Sequence, residues 1–287
     1  MARLVNLIFT EKEMVIDSHV HFWKYNEGNY SWIDSSMKLL QKDYLPTELE
    51  PTLKRNFVDG CIAIQATSTE IETKFLAELS NTHPIIKGVV GWADLKAPDA
   101  EKKLTALKAY PSIVGLRHIA QDEPDDYYYN IEFRKGLALL QPFGYTFDLL
   151  LFPRQLRAAR DLAGEFPGQT FILDHCGKPD IRNKEINDWK QGITELAAHP
   201  NVFCKLSGLL TQTLWKNWRP ADFYPCLDVV IESFGVDRLL FASDWPVMLV
   251  SGMYVQWKSL LEKYMEHFLP EDRDKIFGLT AKRVYGI

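Results

Sequence analysis

The sequence holds no run of lysine and arginine interleaved with aromatic residues, and its formal net charge is -5 with a pI near 5.8. It therefore lacks a basic footprint, and nucleic acid is not an expected partner. No stretch reaches the roughly 18 uninterrupted apolar residues that a membrane helix needs, so no membrane partner is expected either. The four cysteines, Cys61, Cys176, Cys204 and Cys226, are scattered with no C-x-x-C pair, which argues against a zinc finger or a thiol redox motif. Cys61 and Cys204 fall inside apolar runs, where a reduced thiol packs as a small hydrophobe, and a reducing cytoplasm is expected. The segment MARLVNLIFTEKEM has a short apolar patch but no small-residue cleavage site, so it does not read as a signal peptide. No G-x-G-x-x-G follows the first apolar run and there is no Walker loop, which disfavours an open doubly wound nucleotide-binding sheet.

What is present is a core-forming composition, 46% hydrophobic and 25% charged over 287 residues. Short runs rich in Val, Ile, Leu and Phe alternate with helical pattern, as in a parallel sheet covered by helices. Eight such runs are legible: Met14 to Asp17, Gly60 to Gln65, Ile85 to Gly91, Ile113 to Arg117, Tyr145 to Leu150, Thr170 to Asp174, Val202 to Leu206 and Arg238 to Ala242. Helix starts are expected at Pro46-Thr-Glu-Leu, Thr69-Glu-Ile-Glu, Pro98-Asp-Ala-Glu and Pro153-Arg-Gln-Leu, where proline or early carboxylates suit a first turn. Eight βα units of this spacing predict an α/β chain folded as a (β/α)8 TIM barrel, with an additional C-terminal helix over Pro270 to Ile287. Residues 1–13 are expected to be a non-native or dispensable extension, and residues 14–287 one barrel domain. The long connection from His21 to Asp59, with Tyr25, Tyr30 and Trp32, is expected to fold over the barrel mouth.

In such a barrel the chemistry lies at the C-terminal strand ends. Those ends carry Asp17-Ser-His19-Val-His21, Arg117-His118, Asp148, Asp174-His175-Cys-Gly-Lys178, Lys205-Leu-Ser207 and Ser243-Asp244-Trp245. The period of two in a strand puts His19 and His21 on one side. With His175 and Asp244 they make a catalytic cluster that either holds one divalent ion, Zn²⁺ in the first instance, on His19, His21 and Asp244, or works without metal by hydrogen bonding. Asp17 and Asp174 are expected to orient the neighbouring histidines, and Lys205 to meet a carboxylate inside the barrel. Arg117 and Lys178 are either rim ion pairs or substrate contacts. His83 and His199, each before a proline, read as loop residues, and His267 as a surface residue of the tail. Tryptophans recur near the strand ends, including Trp23, Trp32, Trp92, Trp215, Trp218 and Trp245. They are either packing for the rim or aromatic faces for a carbohydrate-like ligand.

The stretches IDSHVHFW, GVVGWADL, VGLRHIAQDEPD, TFILDHCGKP, VFCKLSGL and FGVDRLLFASDWPV, in this order, resemble the amidohydrolase-related sugar lactonases, a group similar to the 2-pyrone-4,6-dicarboxylate lactonases. The resemblance spans nearly all of Met14 to Ile287. It implies a barrel that hydrolyses a cyclic ester, with Asp244 as general base, His19, His21 and His175 polarising the carbonyl or holding a metal, and Arg117 and His118 contacting substrate. Trp23, Trp32, Trp92 and Lys178 complete the expected substrate contacts. The absence of a lysine ending strand four and of a histidine ending strand five departs from the wider superfamily and disfavours a binuclear centre. An aldonolactone of the L-fucono-1,5- or L-rhamnono-1,4- type is preferred to a dicarboxylate lactone, which would want more arginines than Arg117, assisted by Lys178 and Arg154. The rivals are a decarboxylase of the same branch and a non-catalytic barrel that binds a sugar acid. Self-association is compatible with this composition.

Overall fold

The computed structural model describes residues 13–287. The expected extension at residues 1–13 lies, apart from Glu13, outside the described residues. All eight expected runs are strands: β1 (Ile16–Val20), β2 (Gly60–Ile64), β3 (Ile86–Gly91), β4 (Ile113–Ile119), β5 (Thr146–Leu150), β6 (Phe171–Leu173), β7 (Val202–Leu206) and β8 (Leu239–Phe241). They pair in parallel in sequence order. The cylinder is joined between its last and first strands by a bridge from Val20 to Trp245 and by backbone bonds from His21 to Trp245 O (2.7 Å) and from Asp244 to His19 O (2.9 Å).

The connections supply α1 (Pro46–Arg55), α2 (Glu70–Thr82), α3 (Ala100–Leu107), α4 (Ile131–Leu137), a short α5 (Leu140–Phe143), α6 (Leu156–Glu165), α7 (Asn187–Ala197), α8 (Tyr224–Phe234) and α9 (Tyr254–Tyr264). Pro46 opens α1, and the Thr69 side chain caps α2 by accepting from the Glu72 N–H, which satisfies an otherwise unpaired donor of the first turn. Pro153 opens a 3-10 turn that leads into α6. None of the described helices is long and apolar enough to cross a membrane.

Two apolar layers hold the barrel. Outward residues of the strands pack against the helices in one large cluster. Inside, Ile16, Ile62, Ile64, Val90, Ile172 and Leu240 form a second core that is closed from below by Ala281 and Tyr285. Those two residues belong to the expected C-terminal helix, which is α10 (Pro270–Asp274) and α11 (Thr280–Tyr285) joined by a π turn over Lys275–Leu279. The approach to the first strand is so close that a Cβ at Gly278 would lie 1.7 Å from Met14 O, so glycine is required there.

Above this apolar floor the inner positions become charged. Arg117, Asp148, Asp174 and Lys205 are all buried on the strands. The strand register sets this up: Arg117 faces Asp148 across β4 and β5, with Leu116 and Phe147 turned outward.

Candidate active site

The local backbone departs from regular strand at each point where the site is built. Ile16 packs in the inner core while Asp17 accepts from Tyr254 Oη (2.8 Å) and the Ser243 N–H (2.9 Å) on the outside, so strict alternation would send His19 outward. A register shift between Asp17 and Val20 resets the parity and turns His19 and His21 toward the axis. After β6, His175, Cys176, Gly177 and Lys178 all have positive φ, between 52° and 67°, a left-handed turn in which His175 O accepts from the Lys178 N–H at 2.9 Å. Asp244 also sits at φ 65°. Left-handed backbone costs about 1 to 2 kcal/mol at each non-glycine residue, and such strain collects where a structure aims side chains for function. Gly208 is part of this device, since a Cβ there would lie 2.5 Å from the Cβ of His175.

These turns converge four side chains. Asp244 Oδ1 lies 3.4 Å from His21 Nε2, 3.8 Å from His19 Nε2 and 3.9 Å from His175 Nε2. The Nε2 atoms of His19 and His21 are 3.1 Å apart. Each ring is oriented from behind: His19 Nδ1 by Asp174 Oδ1 (3.2 Å), His21 Nδ1 by the Ile64 carbonyl (2.8 Å), His175 Nδ1 by Ser207 Oγ (2.9 Å). Carbonyl and carboxylate oxygens only accept, so His19 and His21 carry their protons on Nδ1 and face each other with bare Nε2 lone pairs. Two lone pairs and a carboxylate oxygen within reach of one point are well placed to share a cation. Arg117 Nη1, held at 2.9 Å by Asp174 Oδ2, approaches His19 Nε2 only at 3.3 Å. The donor set of His19, His21 and Asp244, with all its ligand atoms within 4.8 Å of one another, thus fits a divalent ion of the kind that imidazole and carboxylate bind.

The electrostatics suit neutral imidazoles beside an ionised carboxylate. Burial pushes His175 down to about 4, and burial, with the Lys205 and His175 charges, holds His19 well below its ordinary value. Burial alone would raise Asp244, but His175, His21 and Lys178 outweigh it and hold the carboxyl below its ordinary range. Lys178 is lowered by burial to about 8, and it feels the Asp244 charge.

The other expected contacts fall differently. Arg117 is buried and spent on Asp174 and on the Gln65 carbonyl, so it braces the cluster and does not offer a free guanidinium. His118, next in β4, necessarily points the other way: its ring stacks on Tyr127 (4.6 Å, 4°), bonds Glu123 Oε1 (3.0 Å) and accepts from Trp92 Nε1 (3.2 Å). His118 and Trp92 are thereby occupied with each other and with Tyr127 and Glu123, away from the four converging side chains. Trp23 is fully buried among Tyr30, Trp32 and Tyr44 and donates to Lys42 O. Trp32 is partly exposed. Its buried Nε1 has no partner among the described residues, which leaves it a donor to offer. Asp174 does orient a histidine, but it is His19 and not its neighbour His175, whereas Asp17 holds backbone and Tyr254 and touches no imidazole ring.

Lys178 lines a cavity of about 1270 Å³ built from the loops after β1, β5, β6 and β7, with Asp34, Phe152, Arg154, Arg182, Gln212 and Trp215 among its walls. The long loop after β1 contributes Asp34, Ser36 and Met37 to this cavity. Lys178 bonds Gln121 Oε1 and lies 5.2 Å from the Phe152 ring. Gln121 was not singled out in the sequence; Ser207 was named only as a strand-end residue, where strand parity two positions beyond Lys205 gives a usable signal, and Trp215 only as one of the tryptophans that either pack the rim or face a ligand.

Comparison with known proteins agrees with this architecture. The family model described as Amidohydrolase matches residues 16–287. The chain is 38% identical to an L-fucono-1,5-lactonase of Burkholderia multivorans over 95% of this chain and 96% of that protein. It is 32% identical to an L-fucono-1,5-lactonase of Burkholderia ambifaria, over 95% of each. A crystal structure of an amidohydrolase from Burkholderia multivorans with bound zinc superposes with a TM-score of 0.92 at 37% identity, covering 96% of this chain and 99% of that one.

Proposed function

This chain belongs to the amidohydrolase family, and from that membership we propose that it is a lactonase, a carboxylic-ester hydrolase that opens the ring of a sugar aldonolactone. The substrate class follows its lactonase relatives, with L-fucono-1,5-lactone first and an L-rhamnono-1,4-lactone second. The observation that carries the reading is the convergence of His19 Nε2, His21 Nε2 and Asp244 Oδ1 beside His175.

His19, His21 and Asp244 would hold one Zn²⁺, and the chemistry supplied there is Lewis acidity toward a carbonyl and a water. Asp244, kept ionised by the surrounding imidazoles, takes the proton of the attacking water. With the Ser207 hydroxyl donating to Nδ1, His175 carries its proton on Nε2 and donates to the oxygen that gains charge as the carbonyl becomes tetrahedral. Asp244 then returns its proton to the ring oxygen as the C–O bond breaks, giving the open-chain hydroxy acid. Lys178, on the cavity wall and within the field of Asp244, holds polar groups of the substrate. A decarboxylase is not favoured, since the relatives at 38% and 32% identity are named L-fucono-1,5-lactonase. A cytoplasmic location fits the four buried, unpaired cysteines.

The test is a pH-drop hydrolysis screen over sugar lactones, on protein of measured metal content, with and without a chelator. Turnover of an aldonolactone that is lost on chelation and regained with Zn²⁺ is the expected result. Carbon dioxide release from an aromatic acid without lactone turnover would overturn it.

A further inference from the structure

The charged layer under the histidines has no part in the chemistry above, yet it is fully buried and holds its own ion pairs. Lys205 Nζ donates to Asp148 Oδ2, lies 2.9 Å from Asp174 Oδ1 and is 3.4 Å from His19 Nδ1. Asp148 is approached from the barrel floor by Tyr285 Oη at 3.5 Å, and the Tyr285 ring lies 5.9 Å from Lys205 Nζ. The side chains of Lys205, Asp148 and Asp174 are all 0% exposed. A lysine placed there costs several kcal/mol in desolvation, so its carboxylate partners are a structural requirement of the layer.

Among the described residues two donor groups have metal-ligand spacing: His19 with Asp174 and His175, and His19 with His21 and Asp244. They share the His19 imidazole. In the first, both Asp174 oxygens are already taken, Oδ1 by Lys205 and His19 and Oδ2 by Arg117, so an ion there would sit between two resident cations. In the second, the ligand atoms point at one another. The Lys205 ammonium therefore excludes a cation from the deeper group, and by fixing Asp174 it fixes the ring that the outer group needs.

We propose that Lys205 is a positioning residue for this centre: clamped between Asp148 and Asp174, it anchors the carboxylate that holds His19 Nδ1, so that His19 presents a bare Nε2 to a single divalent ion. The proposal rests on the hydrolytic reading of the site only for its activity arm.

The experiment uses the full chain. Lys205→Met alone would leave the buried Asp148 carboxylate without its cation while Asp174 keeps Arg117, so it is combined with Asp148→Asn, which removes one negative charge with the positive one. In the folded double variant, Zn²⁺ titrated into metal-free protein should bind up to about 10-fold more weakly than in wild type, the lower end of the effect of losing the direct partner behind a ligating histidine, because Asp174 itself remains. Lactone kcat should fall by a similar factor while KM changes little. A purely structural lysine would lower Tm and leave Zn²⁺ affinity and kcat unchanged, and that result would overturn the proposal.

Because the double variant loses two buried charges, a second measurement is made on the intact chain. In metal-free, ¹⁵N-histidine-labelled wild type, His19 should carry its proton on Nδ1 with Nε2 bare. A proton found on Nε2 would overturn the proposal whether or not the variant folds. If wild type turns over no lactone, the functional reading fails, and the Zn²⁺ affinity and tautomer arms still decide the role of Lys205.

Discussion

Replacing Asp244 with asparagine is the perturbation whose size follows most directly from the geometry. The change is isosteric, and asparagine is among the residues that best tolerate the left-handed backbone found at φ 65°. The turn after β8, held by the Asp244 N–H to His19 O bond (2.9 Å) and by Met248 N–H to Asp244 O (2.9 Å), should persist. What disappears is the negative charge 3.4 to 3.9 Å from three imidazole nitrogens, and with it the acceptor for the water proton. A positioned general base contributes about 10²- to 10⁴-fold, equivalent to about 3 to 5 kcal/mol of transition-state stabilisation. If Asp244 is also a metal ligand, the loss lies at the upper end of that range. The assay is initial-rate hydrolysis of L-fucono-1,5-lactone, corrected for spontaneous opening, with the melting temperature measured in parallel. A folded Asp244→Asn protein that keeps more than about a tenth of wild-type kcat would refute a base role of the size quoted above.

Four further outcomes follow from the same coordinates. Lys178→Met should raise KM for the lactone several-fold with a smaller effect on kcat; because the Lys178 ammonium is lost as pH rises through about 8, wild-type KM should climb above that pH and the variant's should not. His118→Ala should lower stability by about 1 to 2 kcal/mol through the loss of its bonds to Trp92 and Glu123, yet change KM less than twofold, since the ring faces away from the barrel axis. In chelated protein His175 titrates near 4 when folded and near 6.5 when unfolded, so its contribution is intact above 6.5 and is lost as pH falls toward 4. Between pH 7 and 5 this amounts to about 2 kcal/mol, readable by urea unfolding, and His175→Gln should flatten the slope. Trp23→Phe, which removes a buried donor to Lys42 O, should cost stability without altering lactone specificity.

How much of this was legible in the sequence depended on distance along the chain. Parallel strands buried on both faces read as unbroken apolar runs, and so all eight were found. Their polar ends named His19, His21, His175 and Asp244 for the same reason. Strand parity separates one expected pair: Arg117 and His118 are adjacent in β4, so period two turns them to opposite faces, and Arg117 is the one that turns inward. The left-handed turn from His175 to Lys178 could not be foreseen, since only Gly177 among its residues advertises positive φ. The shift that turns His19 inward is equally silent, because nothing in Asp17-Ser-His marks a bulge. Trp23 follows His21 at a spacing that suits the mouth, but the chain has left the strand and bridges Tyr44 instead. The partners of Lys205 lie 57 and 31 positions away in the sequence, at Asp148 and Asp174, and only closure of the barrel brings them together.

The most direct test is an anomalous diffraction map recorded at the zinc edge from crystals of the active protein holding the hydroxy-acid product. A single peak within bonding reach of His19 Nε2, His21 Nε2 and Asp244 Oδ1, with the product carboxylate beside His175, is the predicted result. A peak on Asp174, or product bound away from these four side chains, would contradict it.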